Sequence, residues 1–181
     1  MNEIIKQNGI KFGIILGIAG ILAQITTYVL GKNEAVSNLV GILFWVIYLL
    51  IRIFQLITTK KQLNGLISFK ESFTTLLICV TNGILISQLF TYVFMNHIDP
   101  VYGVELNKFM NEKAIQASYE ASKLMGVKIN SEELKAIANN NNFSPLKILQ
   151  GTAIAILISS VMNLILAAIF KSKTNNSPFN Q

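Results

Sequence analysis

Charge is scarce in this chain of 181 residues: 13% are Asp, Glu, Lys or Arg, while 52% are hydrophobic. A soluble protein carries about 25% charged residues. A larger core cannot absorb the shortfall, because a chain of this size still has a large surface to cover. Part of that surface therefore faces something other than water. Cysteine is nearly missing too. The single Cys79 excludes an intrachain disulfide and any metal site built on cysteine. Its place inside an apolar run is that of a small buried hydrophobe. Histidine occurs once, as His97, and one donor is no ligand set where three or four are needed. There is no serine motif of the nucleophile-elbow kind and no glycine loop of the phosphate-cradling kind. The expectation is a non-enzymatic chain with no catalytic residue, no metal and no cofactor.

What the chain has instead is long apolar runs. Phe12 to Leu30 is 19 residues without a charge, and Phe73 to Met95 and Ile148 to Phe170 are 23 residues each without one. Val36 to Ile57 is 22 residues with one charge, Arg52. A helix of about 20 apolar residues crosses the hydrocarbon core of a bilayer. Only helices and closed barrels satisfy every backbone group in lipid, and runs without strict alternation are helices. The first run is longer than a signal-peptide core of about 7–15 residues and no small-x-small cleavage site follows, so it reads as a retained span. The fold class is all-α, a four-helix transmembrane bundle with spans at about 12–30, 36–57, 73–95 and 148–170.

The charges that exist are segregated. Lys6, Lys11, Arg52, Lys60, Lys61, Lys70, Lys171 and Lys173 fall on one side with only Glu3 and Glu71, which sums to +6. The other side holds Lys32 with Glu34, and a segment 97–147 with six Lys and six acids, which sums to zero. Basic flanks stay cytoplasmic. This places both termini inside a cell inner membrane and the 97–147 insertion outside. Abundant Ile, Asn and Lys fit an AT-rich bacterial genome. The basic residues are read as topology and lipid contacts rather than nucleic-acid binders. Arg52, near the inner end of its helix, is expected to snorkel to the headgroups.

The insertion carries helix signals. Asp99-Pro100 is an N-cap followed by proline at the first helical position. Leu106, Met110, Ala114, Ala117, Ala121 and Leu124 repeat at helical steps, and Gly126 fits the C-terminal cap. Asn130 with Glu133 predicts a capping box on a shorter helix, and Ser144-Pro145 repeats the cap device before the last span. An internal similarity, identical at four of eight positions, links Ala23-Gln24-Ile25-Thr26-Thr27-Tyr28-Val29-Leu30 to Ser87-Gln88-Leu89-Phe90-Thr91-Tyr92-Val93-Phe94. It predicts two duplicated helical hairpins, with chance similarity between apolar segments as the competing explanation.

Gly13, Gly17, Gly20, Gln24, Thr27 and Gly31 lie in one stripe about 80° wide on the first span. Small residues at this spacing let helices approach closely in lipid, so the stripe reads as a helix-packing seam; a substrate path is the sharper alternative. The third span aligns Thr74, Thr81 and Gln88 with Thr75 and Asn82 beside them, and the fourth aligns Thr152, Ser159 and Asn163 next to Ser160. Gln24, Asn82, Gln88 and Asn163 are expected to hydrogen-bond across helices, since amides in hydrocarbon need partners. A polar cavity lined by Thr81, Asn82, Gln88, Ser159 and Asn163 is the alternative. No acid or histidine lies within the spans, so the usual carrier of proton-coupled transport is missing.

The glycine-rich first span, the elbow Gly65 to Phe73, the tripeptide Ile98-Asp99-Pro100 and the closing Ala167-Ala168-Ile169-Phe170-Lys171 resemble a family of small bacterial membrane proteins. That family is domain of unknown function 4199, found mainly in Bacteroidota. The resemblance covers nearly the whole chain. It implies a four-helix inner-membrane protein and no activity. Three functional readings follow. The first is a membrane scaffold or partner-binding subunit, its partners being the lipid bilayer and another membrane protein or a second copy. The second is a small-solute transporter or channel using the polar stripes. The third is an outer-face enzyme built on His97 and Asp99.

Overall fold

A computed structural model describes residues 2–31, 34–126 and 130–172, without the side chains of 34–37. Of the charges tallied above, Lys32, Lys128, Lys173 and the side chain of Glu34 lie outside the described residues. The described chain is α1 (Glu3–Leu30), α2 (Glu34–Gln62), α3 (Phe69–Val93), a π-helical turn (Phe94–Ile98), α4 (Pro100–Met125), α5 (Ser131–Ala138) and α6 (Pro145–Phe170). No strand occurs among the described residues. Four of these helices are long and apolar enough to cross a membrane, and within each apolar window only 17–22% is buried inside the fold. The rest of that apolar surface points outward. An apolar belt of this size is tolerated only in lipid, so the chain is a multi-pass membrane protein.

Local chemistry sets the ends. Asn2 opens α1 by accepting the Ile4 N–H at 3.0 Å. At α3 a full capping box forms: the Ser68 hydroxyl accepts the Glu71 N–H at 3.2 Å, and the Glu71 carboxylate accepts the Ser68 N–H at 2.8 Å. The elbow before it turns through Asn64 and Gly65 at φ 54° and 81°. Asp99 caps α4 through the Tyr102 N–H at 2.9 Å, with Pro100 in the first turn and Gly126 left-handed beyond its end. Two expectations need correction. Asn130 caps α5 through the Glu132 N–H at 3.0 Å, two residues on, and the full capping box is found at α3 instead. Ser144 makes no side-chain cap; its hydroxyl donates to the Asn141 carbonyl at 2.9 Å, because that carbonyl lies nearer than the amides of α6.

The helices also overrun their apolar runs. α1 begins at Glu3, α2 continues to Gln62 and α3 begins at Phe69. At about 1.5 Å per residue, the 28 residues of α1 extend well past a hydrocarbon core of about 30 Å. The excess lies at the basic end.

α1 and α3 run parallel and pack along their length, α2 packs on α1, and α6 packs on α3. Each hairpin, α1–α2 and α3–α6, thus gives one helix to a central pair and one to a flank. α2 meets α3 more lightly, and α2 and α6 meet chiefly at their basic ends. There Leu56, Ile67, Leu76 and Leu166 form a buried cluster with Phe170 against it. The Lys60 ammonium donates to the Phe170 carbonyl at 3.3 Å, tying the two flanking helices together. Beyond this joint a gap separates α2 from α6.

Candidate functional site

The glycine stripe is spent inside the chain. A methyl group at Gly13 would lie 2.8 Å from Asn82 Cβ, at Gly17 2.7 Å from Ile86 Cβ, and at Gly20 2.7 Å from Ser87 Cβ, all on α3. Gly9, a turn earlier, meets Ile78 in the same way. Further along, Gln24 Oε1 accepts the Thr91 hydroxyl at 2.8 Å. Thr27 donates to its own helix at the Ala23 carbonyl, and Gly31 caps α1 at φ 90° with nothing close to its α-carbon.

The other amides behave differently from the sequence expectation. Only Gln24 bonds across helices, and its Nε2 is buried without a partner. Asn82 donates to the Ile78 carbonyl of its own helix, because Gly13 brings α1 too close for the amide to extend. Thr81 is partly buried beside it. Gln88 lines a cavity of about 450 Å³ at the capped end with Thr91, Lys147 and Gln150. Asn163 is fully buried, and neither amide atom has a partner. Ser159 faces the gap between α2 and α6.

A polar network that the apolar runs conceal holds the basic end. Asn8 Nδ2 donates to Thr59 Oγ1 at 3.1 Å and Gln62 Oε1 at 2.7 Å. Gln55 Nε2 donates to the Thr75 carbonyl at 2.7 Å, and the Thr75 hydroxyl donates to the Ile5 carbonyl at 3.0 Å. Gln55, Thr59 and Thr75 are fully buried. The signal was the four-residue step from Gln55 to Thr59, which places both on one face of α2. At the opposite end an asparagine cluster fastens the loop before α6 to α4. Asn142 Nδ2 reaches Asn107 Oδ1 at 2.9 Å and Asn111 Oδ1 at 2.8 Å, and Asn111 donates to the Asn140 carbonyl at 2.8 Å. Tyr28 donates to Asp99 at 3.0 Å and stacks edge-on against Tyr102. This contact pins the far end of α1 to the start of α4. His97 is exposed beside the Tyr92 ring.

The groove between α2 and α6 is the site with chemistry left over. It encloses about 520 Å³ lined by Trp45, Tyr48, Leu49 and Arg52 from α2 and by Ile158, Ser159, Val161, Met162 and Ile165 from α6. Arg52 is its only charged residue. The guanidinium Nε is sealed from solvent and has no hydrogen-bond partner. No Asp or Glu lies in any of the four apolar runs, so no acid within them can neutralise it. Depth follows from packing. Tyr48 and Ile51 pack on Phe12, Leu16 and Cys79, so their neighbour Arg52 lies near the first turns of the uncharged run of α1, in the basic half of the bundle. It is five residues, about 7–8 Å, from the end of its own apolar run. Nε is enclosed by protein, while the residue as a whole is only partly buried, which is compatible with the expected snorkelling of its tip. From Arg52 to Trp45 the groove climbs about 10 Å into the apolar layer. Among the described residues no group of His, Cys, Asp and Glu could hold a metal ion.

No curated protein and no solved structure matches the chain. A family match does, covering residues 11–172 and so well over half of the sequence. With its four apolar helices and its match along nearly all of them, the chain belongs to the family DUF4199, described as protein of unknown function.

Proposed function

We propose that this protein is a non-enzymatic subunit of the cell inner membrane that binds another membrane component along its α2–α6 face. One observation carries the reading: Arg52 is a partly buried cation near the basic end of its apolar run, with a sealed, unpartnered Nε and no acid in any apolar run. Ionisable groups in membrane segments pair with one another or with backbone carbonyls and mark functional sites; with no such partner for Nε here, we assign it an anion on a second molecule. The glycine stripe supports the same face. It is consumed by the α1–α3 contact, which leaves the lateral surfaces of α2 and α6 for association. Gentle purification from native membranes, followed by mass spectrometry of everything retained, tests this. A component held by the wild type and lost from Arg52→Leu is the expected result. Bare protein in both preparations would sink the reading.

A transport function draws on a different observation, the cavity at the capped end with Gln88, Thr91, Lys147 and Gln150. Against it stands the close approach of α1 and α3 below that cavity, where Gly13, Gly17 and Gly20 leave no room for a solute. Liposome flux that falls in Gln88→Leu would favour transport over association.

A further inference from the structure

We propose that the α2–α6 groove is a lipid site, taking one acyl chain of an anionic phospholipid with its phosphate on Arg52. The inference rests on the association reading above and names the component. Four features point the same way. Arg52 lies five residues, about 7–8 Å, from the basic end of its apolar run, from where a long side chain reaches lipid phosphates. A planar guanidinium matches phosphate oxygens in a forked pair of hydrogen bonds, which would give the orphan Nε its acceptor.

Above Arg52 the walls are Tyr48, Trp45, Ile158, Val161, Met162 and Ile165, an apolar slot open sideways to the bilayer. Its volume of about 520 Å³ suits one small ligand or chain. A partner helix, about 10–12 Å across, does not fit between α2 and α6, because Lys60 on the Phe170 carbonyl and the Leu56–Leu166 cluster hold their basic ends together. Finally, Lys60, Lys61 and Lys171 lie at the foot of the groove and draw anionic headgroups toward it.

The test is native mass spectrometry of the full chain in nanodiscs of equal phosphatidylglycerol and phosphatidylcholine with identical acyl chains. Wild type should retain one phosphatidylglycerol in preference to phosphatidylcholine by about five-fold, the preference expected of one cation near the surface. Arg52→Met should abolish the preference, and Arg52→Lys should keep part of it. Ile158→Trp, which leaves every charge in place, should lower occupancy by filling the slot. Lys123→Gln, exposed on α4 at the opposite end of the bundle, should change nothing. Equal retention of both lipids, or a preference untouched by Arg52→Met and Ile158→Trp alike, overturns the proposal. So does displacement by inorganic phosphate at millimolar concentration, which would mark a free-anion site. If a protein partner rather than a lipid is lost from Arg52→Met, the lipid assignment fails while the association reading stands. If nothing is retained by any form, both fail.

Discussion

Asn163 and Gln55 are both fully buried amides in apolar helices, and they are satisfied to different degrees. Gln55 Nε2 donates twice to Thr75 while its Oε1 has no partner, and neither atom of Asn163 has one. A buried polar group left unpaired costs about 1–3 kcal/mol, and replacing it with an apolar group of similar shape is neutral or better. Asn163→Leu should therefore raise the melting temperature of the purified protein in detergent, by the equivalent of about 1 kcal/mol. Gln55→Ala should lower it by about 1–2 kcal/mol. A loss of stability in Asn163→Leu would mean that the amide serves a bound molecule or a second chain. Both residues are visible in the sequence as polar positions in apolar runs. What the sequence does not hold is which amide faces a donor, since that depends on the rotation of α2 and α6 about their axes, set by neighbours far away in the chain.

At the scale of the helix, glycine separates into two kinds. Gly17 lies under Ile86, where an added methyl group would be only 2.7 Å from Ile86 Cβ, while Gly151 in α6 has open space around it. Gly17→Leu should break the α1–α3 contact and destabilise the protein by about 1–3 kcal/mol or more through overpacking. Gly151→Ala should be neutral or stabilise by up to about 1 kcal/mol, because it removes only backbone freedom. Thermal unfolding followed by the loss of helical circular dichroism measures both. Equal responses would show that the glycine stripe does not set the helix spacing. The stripe was legible because its four- and three-residue steps mark one face of α1. Its counterpart was not: α3 answers with Ile78, Asn82, Ile86 and Ser87, which have no small-residue signature. The Asn130 and Ser144 caps show the same limit in miniature. The residue types announce a helix start correctly, but the partner atom depends on loop geometry.

For the whole molecule, the asymmetry of charge makes the orientation testable. The described basic end carries Lys6, Lys60, Lys61 and Lys70, while α4 and α5 cover the opposite end. In a Cys79→Ser background, Lys61→Cys should resist a membrane-impermeant thiol reagent in intact cells, and Lys123→Cys should react with it. The reverse pattern would place the termini outside. The number and placing of the long apolar helices were the most legible property of all, because hydrocarbon thickness acts on long stretches rather than on single contacts. The groove was the least legible. It arises from the absence of contact between α2 and α6, and an absence has no residue signature.

The joint between Lys60 and Phe170 closes one end of that gap and leaves the other open. The α1–α3 pair is the closely packed centre, and α2 and α6 lean on it from α1 and from α3. Seen in the plane of the membrane, the outline of the bundle is therefore notched rather than round at the level of Trp45 and Ile158, and whatever surrounds the protein there has to follow the indentation.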